Sequence, residues 1–235
     1  MVKRLAAMAL VAGCSIPAKT AEPDLLCRDQ VLPMMAAATV SLGGHLLDAT
    51  GATGLPGVTL RPHVGSQTLN PTMSDTDGSF FYTHDTGGVP RTEYLDATLA
   101  GFLDLRFYPS VPVAATLENL ELHMLTSSDA STYATTAGVA LDPAKGVIMV
   151  RVVDCNRSPL IGGTISTSPR GPDVRYFADG APSASAMTTD DSGLALIANV
   201  SAGAVTVTGS YEGTSLRSHD VTVSANAVVE TALQP

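Results

Sequence analysis

The residues that could carry out catalysis or bind a metal are dispersed along this chain. Its histidines are His45, His63, His84, His123 and His219. None of them belongs to a His-x-x-Glu or His-Glu-x-x-His sequence, the spacings that bring zinc ligands together. Ser210 is the second residue of the segment 209–213, which is therefore not the Gly-x-Ser-x-Gly turn of serine hydrolases. The sequence predicts no catalytic residue, no metal ligand and no cofactor.

Two aspartates, Asp75 and Asp77, precede Gly78 and could suggest a calcium loop. Calcium takes six or more oxygen ligands, and the Asp-x-Asp-x-Asp-Gly series is incomplete here. Aspartate and glycine also favour turns for local backbone reasons. We therefore interpret this segment, and the similar one at Asp190 and Asp191, as turns.

The N-terminus carries the most informative signal in the sequence. Lys3 and Arg4 precede an unbroken apolar run over residues 5–12, which is followed by glycine and Cys14. This order of residues is typical of an export signal. Its last four residues, Val-Ala-Gly-Cys, resemble a bacterial lipobox. The resemblance implies a signal peptide over residues 1–13, cleavage before Cys14 and acylation of the Cys14 thiol. A cytoplasmic N-terminal helix or a mis-assigned start codon is the alternative.

Acylation of Cys14 would place the chain outside the cytoplasm, with the membrane as its partner through the N-terminal lipid. In the lipoproteins that it resembles, an aspartate after the cysteine favours retention in the inner membrane. Here the residue is Ser15, so the resemblance implies the outer membrane. No other segment approaches the roughly 18 apolar residues of a transmembrane helix. We therefore expect a lipid-anchored protein of the cell envelope.

Two cysteines remain once Cys14 is assigned to lipid. In an oxidising compartment an even remainder favours a disulfide between Cys27 and Cys155. A loop of that length contributes about 4–5 kcal/mol in the chain-entropy model. Two separate buried thiols, or pairing of Cys27 with another chain, are the alternatives.

The composition limits the classes of partner and fold. The net charge is −9, and it becomes −11 when Lys3 and Arg4 are removed with the signal. An acidic chain without a basic cluster argues against nucleic acid and against electrostatic docking on anionic lipid. Gly, Ala, Ser, Thr and Val are abundant, which favours strands and turns over helices. The 222 residues left after removal of the 13-residue signal from 235 suit one large or two ordinary domains.

The pattern along the chain predicts a tether and then two strand-rich segments. Residues 14–37 contain three prolines and no sustained period, which indicates a tether. Alternation and apolar runs predict strands at residues 39–48, 58–61, 79–83, 94–99 and 120–125, then at 147–154, 204–208, 220–223 and 228–229. The segment 127–137 is rich in Ser, Thr and Ala and is interpreted as a linker. The predicted β-sandwich domains are therefore 38–126 and 138–235.

The second half repeats the sequence pattern of the first. One strand ends at Asp48 and another at Asp154, and each is followed by a loop into a β-branched run. A Thr/Ser-Asp-x-x-Gly turn then follows, at 74–78 in the first half and 189–193 in the second. Short strands with frequent turns favour antiparallel β-sandwiches.

These segments resemble the carboxypeptidase regulatory-like (prealbumin/transthyretin-like) β-sandwich. The matching segments are 40–48, 55–60, 74–80 and 101–102, then 147–154, 159–165 and 189–195. The resemblance implies seven or eight strands per domain and an accessory role without catalysis. The expected fold is thus all-β, with two tandem antiparallel Greek-key β-sandwich domains after the lipoprotein signal and tether.

The leading functional hypothesis is a non-enzymatic, envelope-anchored lipoprotein that displays two β-sandwiches as a binding or spacer module. Its partner would be an envelope protein or polysaccharide. A second hypothesis is carbohydrate binding on an aromatic surface around Tyr176 and Phe177, in the long loop of the second domain. A third is a hydrolase with a non-standard site, which needs a pocket that gathers His, Asp or Glu from separate strands.

Overall fold

The computed structural model describes residues 22–28, 30–169 and 174–235. The strands of the first half are β1 (Thr39–Leu47), β2 (Thr59–Val64), β3 (Gln67–Thr68), β4 (Thr72–Met73), β5 (Ser79–Asp85), β6 (Glu93–Thr98), β7 (Asp104–Tyr108) and β8 (Leu117–His123). Those of the second half are β9 (Gly146–Val152), β10 (Thr164–Ser168), β11 (Val174–Ala178), β12 (Ala181–Pro182), β13 (Leu194–Val200), β14 (Gly203–Tyr211), β15 (Thr214–Ser215), β16 (His219–Val223) and β17 (Ala227–Leu233). The helix α1 (Ser127–Thr136) lies between them. The all-β class is confirmed.

One sheet runs through both halves of the molecule. Its order is β12-β11-β13-β9-β17-β7-β6-β2-β3, with β4 also paired to β2. The halves meet where β17 pairs in parallel with β7 on one side and β9 on the other. A three-stranded sheet, β5-β1-β8, and a four-stranded sheet of β10, β14, β15 and β16 complete the described strands. Most pairs are antiparallel as predicted, while β1–β8, β7–β17 and β9–β17 are parallel.

The shared sheet is covered on both faces where it crosses the second half. The second core lies between this sheet and the four-stranded sheet, and it contains Ile148 and Val150 of β9. The first core contains Val147 and Met149 from the same strand, packed with residues of the first half such as Leu122. Neighbouring side chains of a strand point to opposite faces. A strand buried on both faces needs an unbroken apolar run, which explains the sequence Val-Ile-Met-Val at this position.

The repeated turns of the two halves share one hydrogen-bond pattern. The carboxylate of Asp48 accepts bonds from the backbone amides two and four residues ahead, at 3.0 and 3.2 Å. Asp154 does the same at 2.8 and 2.8 Å. These bonds hold the loop that leaves each strand in a compact turn, as short polar side chains do in Asx turns.

A buried hydroxyl recurs at the second repeated turn. The Ser74 hydroxyl accepts a bond from the Val58 amide at 2.9 Å and donates one to the Leu55 carbonyl at 2.7 Å. Thr189 makes the equivalent pair of bonds in its own half, at 2.8 and 2.6 Å. Each hydroxyl thus satisfies one buried donor and one buried acceptor of the preceding loop.

We expect Ser74→Ala and Thr189→Val each to lower the free energy of unfolding by about 1–3 kcal/mol, because each leaves buried backbone groups without a partner. Urea denaturation of the single variants measures this. The control is Ser41→Ala, which removes only the surface bond between the Ser41 and Thr83 hydroxyls and should change stability by less than about 0.5 kcal/mol. Equal, small effects at all three sites would contradict the structural role of the two buried hydroxyls.

The segment predicted as a linker, 127–137, forms α1 almost along its whole length. Thr126 caps the helix in a capping box with Asp129, each side chain bonding the other residue's backbone. The Tyr133 hydroxyl donates to the Ala49 carbonyl at 2.9 Å, and Ala130 belongs to the first core. The segment also contacts the second half, because Tyr133 packs edge-on against Phe177 and Arg175 donates to the Ala137 carbonyl at 3.0 Å. It therefore packs between both halves, and the domain boundaries given above stay a prediction. No helix in the described part of the chain is long and apolar enough to cross a membrane.

Candidate functional site

The predicted disulfide between Cys27 and Cys155 is present. It attaches the N-terminal segment to the end of the second half, where β9 finishes. The Asp24 carbonyl accepts a bond from the Cys155 amide at 2.8 Å, and the Asp24 amide donates to the Asp154 carboxylate at 3.1 Å. The predicted lipid-attachment residue, Cys14, and the predicted signal peptide lie outside the described residues.

Arg217 adds a second clamp between the N-terminal segment and the rest of the chain. Its guanidinium donates to the carbonyls of Cys27 at 2.9 Å and Gln30 at 2.5 Å. It also donates to the carbonyl of Pro235 at 2.9 Å. One side chain thus ties the segment after the predicted anchor to the last residue of the chain.

Tyr176 and Phe177 do not form the aromatic surface that the carbohydrate hypothesis needs, because both are buried. Tyr176 lies in the second core, where its hydroxyl accepts a bond from the Ile165 amide at 2.9 Å. Phe177 lies in the first core, edge-on to Tyr133 at 6.0 Å between ring centroids. Neighbours on one strand face opposite sides, and here each side is a packed core.

The histidines remain dispersed in the fold. No group of three or more His, Cys, Asp or Glu residues that could hold a metal occurs among the described residues. His219 lies 2.6 Å from the Thr231 hydroxyl, the type of contact that activates a nucleophile. That hydroxyl donates to the Tyr108 carbonyl at 3.2 Å, so it accepts from His219. In this arrangement His219 is a donor to Thr231 and does not act as its base.

A buried polar cluster crosses the first core. His84 on β5 and Glu93 on β6 face each other from different sheets, with 3.6 Å between Nε2 and Oε2. Both side chains are almost fully buried, and none of their side-chain nitrogens and oxygens, nor the Tyr82 hydroxyl, has a hydrogen-bond partner among the described residues. Burial raises the pKa of Glu93 to about 8 and lowers the pKa of His84. A substrate could not reach this cluster in the folded protein, so we assign it no catalytic role.

A groove of about 450 Å³ lies between the two halves. Its floor is formed by the carboxyl ends of the parallel strands β7, β9 and β17, and one wall is the edge of β8. The other wall is the extended segment 109–115, and Pro33 of the N-terminal segment lines the groove as well. The site therefore exists only where both halves and the N-terminal segment come together.

The wall segment 109–115 is fixed at several points. Arg91 and Val113 exchange two backbone hydrogen bonds, at 3.1 and 2.8 Å. The Ala37 amide donates to the Ala114 carbonyl at 3.0 Å, which attaches the N-terminal segment to this wall. Pro109 and Pro112 lack amide hydrogens and restrict the backbone to extended shapes. The sequence Pro-Ser-Val-Pro is the local signal that could have indicated this segment.

The β8 wall presents an unpaired strand edge. Within the described residues β8 pairs with β1 on one side and with no strand on the other. Gly44 allows the close approach of β1, since a Cβ there would lie 2.0 Å from the Leu120 carbonyl oxygen. Asn119 has a φ of 57° beside an irregularity in the pairing register. Such an edge leaves backbone donors and acceptors available to an added strand, apart from the His123 amide at its end, which donates to Glu230.

The groove is mainly apolar, with charges at defined places. Glu230 accepts a bond from the His123 amide at 3.3 Å. Arg151 is partly buried on the floor, and its guanidinium has no ion pair among the described residues. Glu121 and Arg157 are exposed at the rim. This geometry suits binding of an extended chain better than chemistry on a small substrate.

Comparisons with known proteins give remote similarities. No protein-family model matches the sequence, and a search of curated proteins finds no match. The TIE protein of Bacillus anthracis is similar at 11% identity, with 84% of this chain and 34% of that chain covered and a TM-score of 0.30. A variant of the shaft pilin SpaA of Lactobacillus rhamnosus GG shows 12% identity, 86% and 98% coverage and a TM-score of 0.27.

A third solved structure to which this chain is similar is 3-chlorocatechol 1,2-dioxygenase of Rhodococcus opacus 1CP. It shows 14% identity, with 44% of this chain and 66% of that chain covered and a TM-score of 0.29. This chain spans about a third of the length of the TIE protein chain. At these identities and TM-scores the similarities carry no argument about function.

Proposed function

We propose that this protein is a non-enzymatic, envelope-anchored lipoprotein that displays its two β-sandwich halves as one binding module. The observation that supports it most is the disulfide between Cys27 and Cys155. Disulfides of this kind persist in oxidising compartments outside the cytoplasm. The bond also attaches the chain at Cys27, only 13 residues after Cys14 in the sequence.

The attachment of the N-terminal segment suits a protein held by one end. A pull on an acylated Cys14 would reach the fold through Asp24, the disulfide and the Arg217 clamp. The disulfide would transmit this pull covalently into β9, a strand that contributes side chains to both cores. The shared sheet then connects β9 through β17 to the first half, so both halves would be held together on the envelope.

The membrane anchor can be tested by intact mass and detergent partitioning of the protein from its native organism. We expect the wild-type chain to begin at Cys14, to gain acyl mass and to enter the detergent phase. Cys14→Ala should lose the acyl mass and remain in the aqueous phase. The matched control, Cys27→Ser, removes a different cysteine and should keep both the acyl mass and the partitioning. An unmodified wild-type chain that retains Met1 would overturn the proposal.

A further inference from the structure

We propose that the groove between the two halves binds an extended peptide segment of a partner protein, which adds a strand to the free edge of β8 and places a carboxylate against Arg151. This deepens the proposed display role by giving the chemical class of the partner. The binding itself does not depend on the lipid anchor. Such a segment needs an aspartate or a glutamate among apolar residues.

The shape of the site favours an extended chain. The groove runs between the unpaired edge of β8 and the fixed, proline-containing wall 109–115. Added strands gain affinity from backbone hydrogen bonds with the edge and specificity from pockets for alternate side chains. Leu117 and Leu120 of β8, together with Val113 and Ala232, provide the apolar contacts. Pro33 of the N-terminal segment lines the groove, and its sequence neighbours Val31, Met34 and Met35 are exposed.

The charges select the occupant. Arg151 is a partly buried cation on the groove floor with no ion pair among the described residues, whereas Glu230 already accepts a bond from His123. A carboxylate entering the groove would pair with Arg151, and a guanidinium can hold it through two parallel bonds. Pairing of β8 with β8 of a second copy is disfavoured, because it would bring Glu118 and Glu121 of both copies together at the new edge.

The test is selection of a random dodecapeptide library on phage against the full chain carrying Cys14→Ala, so that membrane attachment plays no part. We expect the enriched sequences to alternate apolar residues with a central Asp or Glu. Replacing that acid by Asn or Gln in a synthetic copy should weaken binding about tenfold. Methylation of the peptide's backbone nitrogens should weaken it at least as much, because these nitrogens donate to the β8 edge.

Three protein variants locate the site. Arg151→Met should remove the preference for acid over amide, while Arg61→Met, an exposed arginine on β2 away from the groove, should leave it unchanged. Ala115→Trp fills the groove from an exposed wall residue and should weaken binding at least tenfold without touching a core.

Several results would overturn the proposal. One is that the library yields no enriched peptide, and another is that basic sequences are enriched. A third is that the wild type, Arg151→Met and Ala115→Trp bind the selected peptides equally well. If a second copy of this chain occupies the groove instead, the purified chain will dimerise and the selected peptides will not displace that second copy. Failure of acylation at Cys14 would contradict the envelope anchor and leave this peptide binding intact, so the two proposals fail separately.

Discussion

Replacing Cys27 and Cys155 together with serine should lower the free energy of unfolding by about 4–5 kcal/mol. The cysteines are 128 positions apart, so the bond removes much of the conformational freedom of the unfolded chain. The disulfide lies beside noncovalent contacts from Asp24 and Arg217 that also attach the segment. Urea denaturation of the oxidised wild type and the double variant measures the difference, and reduction of the wild type should reproduce it.

Two controls separate the crosslink from the cysteine side chains. Cys14→Ser leaves the crosslink intact and should leave the unfolding midpoint unchanged. Arg217→Ala removes the three carbonyl contacts and should cost less than the double variant, because a clamp of hydrogen bonds at a partly exposed site is worth less than loop closure. A loss of under about 1 kcal/mol in the double variant would mean that the noncovalent contacts alone hold the segment.

Local periodicity was enough to predict many of the strands. Alternation over residues 204–208 predicted β14, in which Val205 and Val207 are buried in the second core. Val40 and Leu42 likewise point into the first core from β1. The repeated turns were also visible, because Asp, Ser, Thr and Gly are selected there by bonds within a few residues of the chain.

Features that depend on contact between the two halves could not be predicted in this way. Tyr176 and Phe177 were a candidate aromatic surface because the sequence placed them in the long loop of the second domain. Both are buried because β11 lies between two cores. The groove has the same origin, since its floor, its walls and Pro33 come from distant parts of the sequence.

The linker interpretation failed to identify a helix for a local reason. Residues 127–136 contain few large apolar side chains and many Ser and Thr residues, which are poor helix formers. The capping box of Thr126 and Asp129 supplied the start signal. A Thr-x-x-Asp sequence was therefore present, and it indicated the beginning of α1 more reliably than the composition did.

The buried pair of His84 and Glu93 should make stability fall with pH between about 6.5 and 8. Glu93 keeps its proton in the folded state up to a pKa of about 8, whereas the unfolded state loses it near 4.5. Its contribution to stability is complete below 4.5 and is lost as the pH rises through 8. His84 acts in the opposite direction, because burial keeps it neutral while the unfolded state binds a proton below 6.5.

Between pH 4.5 and 6.5 Glu93 makes stability fall with pH while His84 makes it rise. Between pH 6.5 and 8 only the titration of Glu93 changes stability. The expected loss of stability across that upper window is about 2 kcal/mol, from a slope of about 1.4 kcal/mol per pH unit. Asp85 raises the pKa of His84 and Arg91 lowers it, both less than burial does. Tyr82, whose pKa is raised by burial and then by Glu93, does not titrate in this window.

Glu93→Gln should abolish the fall, because glutamine keeps the shape of the side chain and does not titrate. Its free energy of unfolding should be flat from pH 6.5 to 8 and should decrease only towards acid, because burial lowers the pKa of both His84 and His219. Urea denaturation at half-unit pH intervals measures this, with Glu118→Gln on exposed β8 as the matched control that keeps the wild-type slope. If Glu93→Gln retains that slope, the proton is held elsewhere. A flat profile in the wild type would mean instead that His84 and Glu93 form an ion pair across the first core.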